Sequence, residues 1–442
     1  MRNRMDVHVA GAFVVCALVA GGVGVFVGAG PLNPPAGAVA GTYKTLTEVE
    51  PRIAVNATNT PGDGGASPSL FRISQPGSYY LTGNITVGSG VHGIEIDTSN
   101  VTLDLMGFRI LGSLGSLDGI HVEGTETNLT IRNGSVRSMG GNGLESLNGD
   151  SVRVVDFTAR NCTGHGVSLG WGCTASNVIA DSNSGDGIVA LGALSMSLCT
   201  SRENGGSGID CGSGGAIVSS TAASNTGDGF NLGSGCTVTA CVAHDNGGDG
   251  FGILNSGTFT GCQAFSNTLD GIDAAGGGSN ITGCTVKSNG GYGVRASTGC
   301  TVVQCAASLN ALSGIYGGSS SLIADCTSSA NDIDGVRVVS NCTVRGNVCE
   351  GNGVSGAGGG VRALSDDNRI EGNTCVGNDT GVDVDVGGNI ILRNSCSGNT
   401  TNWVIAASNR CLVILGLPAP AINGDTGGTS SGSSEPNANF TY

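Results

Sequence analysis

Apolar and polar positions alternate along this chain in runs of a few residues, and the alternation never takes on helical spacing. Between Asn225 and Asn246, the pairs Phe230/Leu232, Cys236/Val238 and Cys241/Ala243 make three period-two runs separated by Gly, Ser and Thr. Such runs predict short strands bounded by turns. None is long enough for a helix, and the glycine content would break one. Each unit of about 21 residues therefore reads as three strands and three turns.

The unit repeats. Asparagines stand at Asn161, Asn183, Asn204, Asn225, Asn246, Asn267, Asn289, Asn310, Asn331 and Asn352, in steps of 21 or 22, and again at Asn378 and Asn399. Four residues after most of them comes Gly followed by an apolar residue, as in Gly187-Ile188, Gly229-Phe230, Gly271-Ile272 and Gly335-Val336. A period in this range marks a solenoid. Three short strands per unit, stacked in parallel, predict an all-β, right-handed parallel β-helix of about fourteen coils, with coils about 4.8 Å apart. The recurring asparagine suits a ladder, because it tolerates left-handed turns and its amide can bond to the amides above and below. From Gly335 onward Asn347, Asn373 and Asn394 occupy positions held earlier by Cys, which predicts a second asparagine stack.

The cysteines follow the same rhythm. Cys199, Cys241, Cys262, Cys284, Cys305 and Cys326 each precede a ladder Asn by five residues, and Cys173, Cys236, Cys300 and Cys342 follow a repeat Gly by seven. These are inward ladder positions, where a thiol behaves as a small hydrophobe. The dihedral that a disulfide needs is hard to reach between parallel neighbours. The spacing lacks C-x-x-C or paired His/Cys signatures of a zinc site.

The first 40 residues break the pattern. Arg2 and Arg4 precede an apolar run from Val9 to Ala29, and Ala38-Val39-Ala40 resembles a cleavage site. This predicts an export signal cleaved after Ala40, with an uncleaved anchor as the rival. The protein is accordingly expected to be secreted or held in the cell envelope. Residues 41–68 read as an irregular lead-in, 69–415 as the β-helix, and 416–442, rich in Gly and Ser, as a tail. The net charge of -15, from 34 acidic and 19 basic residues, argues against nucleic acid or an anionic membrane surface as partner. Contact with a membrane is expected only through an uncleaved N-terminal segment.

Residues 69–134 carry larger alternating strands, among them G-I-E-I-D, V-T-L-D-L-M-G-F-R-I and D-G-I-H-V. Followed by the N-x-x-x-G-I coils, this segment resembles the secreted right-handed parallel β-helix repeat proteins of the pectin-lyase-like superfamily over residues 69–415. The resemblance implies enzymes that cut or modify acidic polysaccharides, but their motifs are not met. Gly164-His165-Gly166-Val167-Ser168 resembles the G-H-G element of polygalacturonase-type glycosidases, yet the N-T-D and R-I-K motifs are missing and Asp366-Asp367 follows the histidine instead of preceding it. The R-x-P-x-x-R of pectate lyases and the D-P-H of alginate epimerases are missing as well.

Two rows of side chains stand out. The residue before the repeat Gly is Asp186, Asp228, Asp249, Asp270 and Asp334, and Asp228, Asp249 and Asp270 fall in consecutive coils. Carboxylates stacked about 5 Å apart repel one another by roughly 1 kcal/mol even in water, and a bridging Ca2+ would relieve that. The plainer reading is Asp as a turn residue beside Gly. Two residues after the Gly, Asp273, Arg295, Tyr316, Arg337, Arg362 and Asp383 form an outward row that could grip a glycan through bidentate Arg contacts and a Tyr face. The plainer reading there is a solvated face neutralised by its own acids. The expected function is an exported, non-catalytic β-helix protein, structural or glycan-binding along that face. The alternative is a polysaccharide lyase or glycoside hydrolase acting on acidic polysaccharide.

Overall fold

The computed structural model describes residues 51–65, 68–356, 358–415 and 436–441. The expected export segment at 1–40 lies outside the described residues, as do residues 41–50 of the lead-in and 416–435 of the tail. Regular structure among the described residues is strand throughout. Strands pair in parallel with their equivalents one coil away, as Phe230–Leu232 does with Phe251–Ile253. One sheet holds 16 strands, one per coil, from Ser69–Ile73 to Thr401–Ile405, and the other two faces join in a 31-stranded sheet. The chain is thus a parallel solenoid of 16 coils where fourteen were expected. The two additional coils carry Ser69–Ile73 and His92–Ile96; both lie before Gly119, where the count of coils began.

The turns explain the repeat. In the coil that follows Phe230, the left-handed residues are Gly235, Ala240 and Asp245, and the residues after them, Cys236, Cys241 and Asn246, are buried. Each corner is therefore a left-handed residue followed by an inward ladder residue. The asparagine was expected to take the left-handed conformation itself; instead the residue before it does. Asn161 shows the shift, because it has φ 54° and so lies at the corner, while Cys162 fills the ladder and donates its amide to Asn183 Oδ1 at 3.0 Å.

From Asn183 to Asn399 the ladder is continuous. Asn246 Oδ1 accepts from both the amide N and the Nδ2 of Asn225, at 3.1 and 3.0 Å. Its own Nδ2 donates to Ala222 O at 3.2 Å and to Asn267 Oδ1 at 2.9 Å. No polar atom of this buried amide is wasted, which is the condition for burying one. The repeat glycine follows from the same packing. A Cβ on Gly229 would stand 2.6 Å from Gly250 O and 2.8 Å from Asn246 Nδ2, so a side chain there would displace the ladder of the next coil.

The expected second stack is present through Asn347, Asn373 and Asn394. A third runs through Asn368, Asn389 and Asn409. The second stack continues to Asn439, and Asn439–Thr441 pairs in parallel with Ser395–Ser397 and Val413–Leu415. The end of the stretch read as a tail is therefore part of the sheet. The cysteines occupy inward positions as expected, Cys411 alone among the described ones being half-buried. Cys241 Sγ accepts the Ser220 amide at 3.4 Å, so the thiol stands in for the amide oxygen used elsewhere.

Asn246→Ala removes the acceptor of two buried donors and should lower unfolding stability by about 3 kcal/mol. Asn409→Ala, at the exposed end of the third stack, should cost much less. Denaturant midpoints of the two variants check this, and equal losses would reject the ladder as the main polar support.

Candidate functional site

The 16-stranded sheet presents one outer face, and both rows singled out in the sequence lie on it. Strand pairing aligns Asp273 with Arg295, Arg295 with Tyr316, Tyr316 with Arg337, Arg337 with Arg362 and Arg362 with Asp383. The row read from spacing is thus a real line of neighbours. It continues toward the N-terminus through Gly252, Asn231, Asp210, Val189, Ser168, Glu145, His121, Glu95 and Arg72.

The arginines are not free cations. Arg295 lies 3.5 Å from Asp273. Arg362 lies 3.5 Å from Asp383 and 3.2 Å from Asp385. Arg337 lies 3.8 Å from Asp334, whose side chain is fully buried. Tyr316 leans on Tyr292 with ring centroids 5.3 Å apart. This stretch is a balanced lattice of guanidinium and carboxylate, and its exposed pairs contribute little to stability. Asp334 differs, since a buried carboxylate needs its partners. It accepts the Gly359 amide at 2.7 Å through Oδ1.

The row before the repeat glycine has a structural task that sequence reasoning missed. Each side chain accepts the backbone N–H of the same position one coil on. Asp228 Oδ1 takes the Asp249 amide at 2.7 Å, Asp249 Oδ1 the Asp270 amide at 2.7 Å, and Asp270 Oδ1 the Tyr292 amide at 2.6 Å. Asp186 does the same for Ser207, and His165, through Nδ1, for Asp186. Asp, Asn, His and Ser all supply such an acceptor at this position, as Asp186, Asn142, His165 and Ser313 do, while Tyr292 and Gly359 also stand in the row. His165, in the glycosidase-like G-H-G element, is one rung of this row.

One oxygen of each aspartate is thereby spent on the backbone. The other, at Asp228 and Asp249, lines the surface where the outward row lacks a side chain. At Gly252, an added Cβ would lie 3.5 Å from Asp228 Oδ2 and 3.9 Å from Asp249 Oδ2. A groove of about 400 Å3 opens there, lined by Asp228, Asn231, Asp249, Gly252, Leu254 and Asp273 among others. Burial, then the carboxylates of Asp270, Asp228 and Asp273, pushes Asp249 up to about 7. Burial pushes Asp270 up to about 6 and raises Asp228 and Asp273 as well.

Asp228, Asp249 and Asp270 do not form a set of three donor atoms within 4.8 Å of one another. Among the described residues the group that does is His92, Asp118 and His121. Asp118 Oδ2 lies 3.2 Å from Nδ1 of His92 and 3.2 Å from Nδ1 of His121. The two imidazoles stack with centroids 4.3 Å apart. Burial opposes the charge on Asp118, but the hydrogen bonds with His121 and His92 hold its carboxyl well below the usual range. The Asp118 hydrogen bond raises His121. This group follows the grammar of the later coils, since Asp118 precedes Gly119 and His121 follows it by two. Extending the two rows back to D-G-I-H-V would have found it.

A family model described as the right-handed β-helix region matches residues 118–282 and 255–400, well over half of the chain, and the protein belongs to that family. No curated protein matches the sequence. Similar solved structures include the A-module of mannuronan C-5 epimerase AlgE4 of Azotobacter vinelandii, 15% identical, with a TM-score of 0.43 over 75% of this chain and 91% of that one. Tailspike protein 3 of bacteriophage CBA120 is 11% identical, with a TM-score of 0.44 over 82% of this chain and 65% of that one. The likeness is one of fold. No helix among the described residues is long and apolar enough to cross a membrane.

The raised carboxyls give a pH signature. The native state holds their protons to higher pH than the unfolded chain does, so their contribution is full below about pH 4 and is lost as pH rises through about 6 to 7. Asp249→Asn keeps Oδ1 for the Asp270 amide and removes the buried charge. Its melting temperature should exceed that of the unmodified protein at about pH 8 and match it near pH 4. Equal differences at both pH values, read by calorimetry, would contradict the assignment.

Proposed function

We propose that the outer face of the 16-stranded sheet is a binding track for an extended polysaccharide. The observation that carries this reading is the meeting of two polar rows on one sheet face, with the groove at Gly252 set between Asn231 and Asp273. Free carboxylate oxygens, an amide, guanidinium groups and Tyr316 offer hydrogen bonds and a ring face at coil spacing, about 4.8 Å. Sugar hydroxyls, which both donate and accept, suit paired carboxylate and guanidinium groups better than a purely cationic row would. The pairing of Arg295 and Arg362 with aspartates favours a hydroxyl-rich glycan over one gripped only through its carboxylates. The export expected from the N-terminal residues would bring this face to extracellular polymers. Turnover of such a polymer, as a lyase or hydrolase, is the second reading; it draws support from the His121 and Asp118 pair at the end of the same face.

The test is retention on an array of neutral and acidic polysaccharides, with assay for unsaturated or reducing-end products. The double variant Arg295→Ala/Arg362→Ala should keep its circular dichroism spectrum and bind at least about tenfold more weakly, as expected for two lost charge-assisted hydrogen bonds. Arg337 is left in place because its removal would strand buried Asp334. No retention by the unmodified protein, or equal retention by the variant, would overturn the binding track. Product formation would favour the second reading.

A further inference from the structure

The group formed by His92, Asp118 and His121 stands apart from the arginine segment and the Gly252 groove. Each side chain comes from a position the solenoid has already fixed. His92 and Asp118 precede Gly93 and Gly119 in the acceptor row of consecutive coils, and His121 lies in the outward row of the second of these coils.

The three residues bring one potential ligand atom each to the group, and their present hydrogen bonds show what an ion would have to displace. His92 Nδ1 accepts the Asp118 amide at 3.1 Å, so that nitrogen carries a lone pair, at present engaged by the backbone. Asp118 Oδ1 accepts the Asn142 amide at 2.6 Å, which leaves Oδ2 for the group. His121 Nε2 lies 3.3 Å from Glu123 Oε2, a carboxylate that can hold the Nε2 proton once Nδ1 gives up its own to bind an ion. A carboxylate behind the far nitrogen of an imidazole is the usual support of a metal-bound histidine.

Three potential ligand atoms therefore converge, and what stands between them is either the His121 Nδ1 proton shared with Asp118 or a metal ion. Oδ2 is 3.2 Å from each of the two nitrogens, and all three atoms lie within 4.8 Å. Ligands held about 2.0–2.2 Å from a four-coordinate ion stand about 3.4 Å apart, so the two oxygen-to-nitrogen spacings match those of a tetrahedral site. Two imidazoles and one carboxylate suit zinc and its neighbours; calcium and magnesium prefer all-oxygen sets. Asp118 and His121 keep 14% and 20% of their side chains exposed, which leaves the fourth position toward solvent on the outer face.

We infer that His92, Asp118 and His121 bind one divalent transition-metal ion of the zinc class, with an open coordination position facing the polar track. The ion ties the second coil to the third and draws His92 Nδ1 off the Asp118 amide. The competing occupant is a proton on His121 Nδ1, which would bridge to Asp118 with no metal at all. This inference rests on the three side chains and is independent of whether a glycan binds.

The full chain is stripped with a chelator, dialysed against Zn2+ and analysed for bound metal, and Co2+ is then substituted to read the coordination from its visible spectrum. One ion per chain with a tetrahedral Co2+ spectrum is expected. His121→Ala and Asp118→Asn should each lose it, and Glu123→Gln should weaken it about 10- to 100-fold. Asp118→Asn keeps the oxygen that accepts the Asn142 amide, and its metal-free melting temperature shows whether the coil is intact. His121→Ala alters a partly exposed side chain, so it remains decisive if Asp118→Asn fails to fold. Asp249→Asn should bind as the unmodified chain does. Failure to retain one equivalent, or unchanged retention by His121→Ala, would overturn the site and leave the protonated His121 and Asp118 pair in its place.

Discussion

Stacking coils at a fixed spacing places every buried polar group of one turn directly against its equivalent in the next. A single unpaired amide would then be repeated along the whole core. The asparagine ladder solves this with one side chain, because its oxygen takes two donors from the preceding coil while its nitrogen reaches a carbonyl and the next oxygen. Most other regularities follow from that contact. Glycine must stand where the amide of the next coil passes, and the left-handed residue must come before the ladder residue to turn the chain inward. Cys and Ser can replace Asn where a weaker acceptor is enough.

The same stacking builds the outer face. Any chemistry placed at a given position is multiplied along the rod, which suits a polymeric ligand better than a compact one. The row before the glycine shows how stability and function share residues. Its side chains are there to accept backbone amides, and the groove at Gly252 uses only what remains of Asp228 and Asp249. The raised carboxyls of Asp249 and Asp270 reflect this sharing, since the backbone needs an acceptor and does not need a charge. Asn142 performs the same task uncharged.

Residues 162–410 were legible because their strands are local and their period is short. Alternation gave the strands, the step between asparagines gave the coils, and counting from the glycine placed Arg295, Tyr316, Arg337 and Arg362 in one line. The first coils were harder to read. They bury Ile, Leu and Val in place of Cys and Ala, lack the asparagine landmark, and so hid His92, Asp118 and His121 among the larger alternating strands of residues 69–134. Asn439 lies too far along the chain from Asn394 for any period to connect them.

By itself, the sequence determined a parallel solenoid with inward asparagine and cysteine stacks and two polar rows on one face, because period and alternation are properties of neighbours along the chain. Only the tertiary structure decided that the arginines are paired with aspartates, that the aspartate row is bound to the backbone through one oxygen, and that two histidines meet one carboxylate near the N-terminal end. Those outcomes depend on distances between coils and on which lone pair each hydrogen bond consumes, and no spacing along the chain records either.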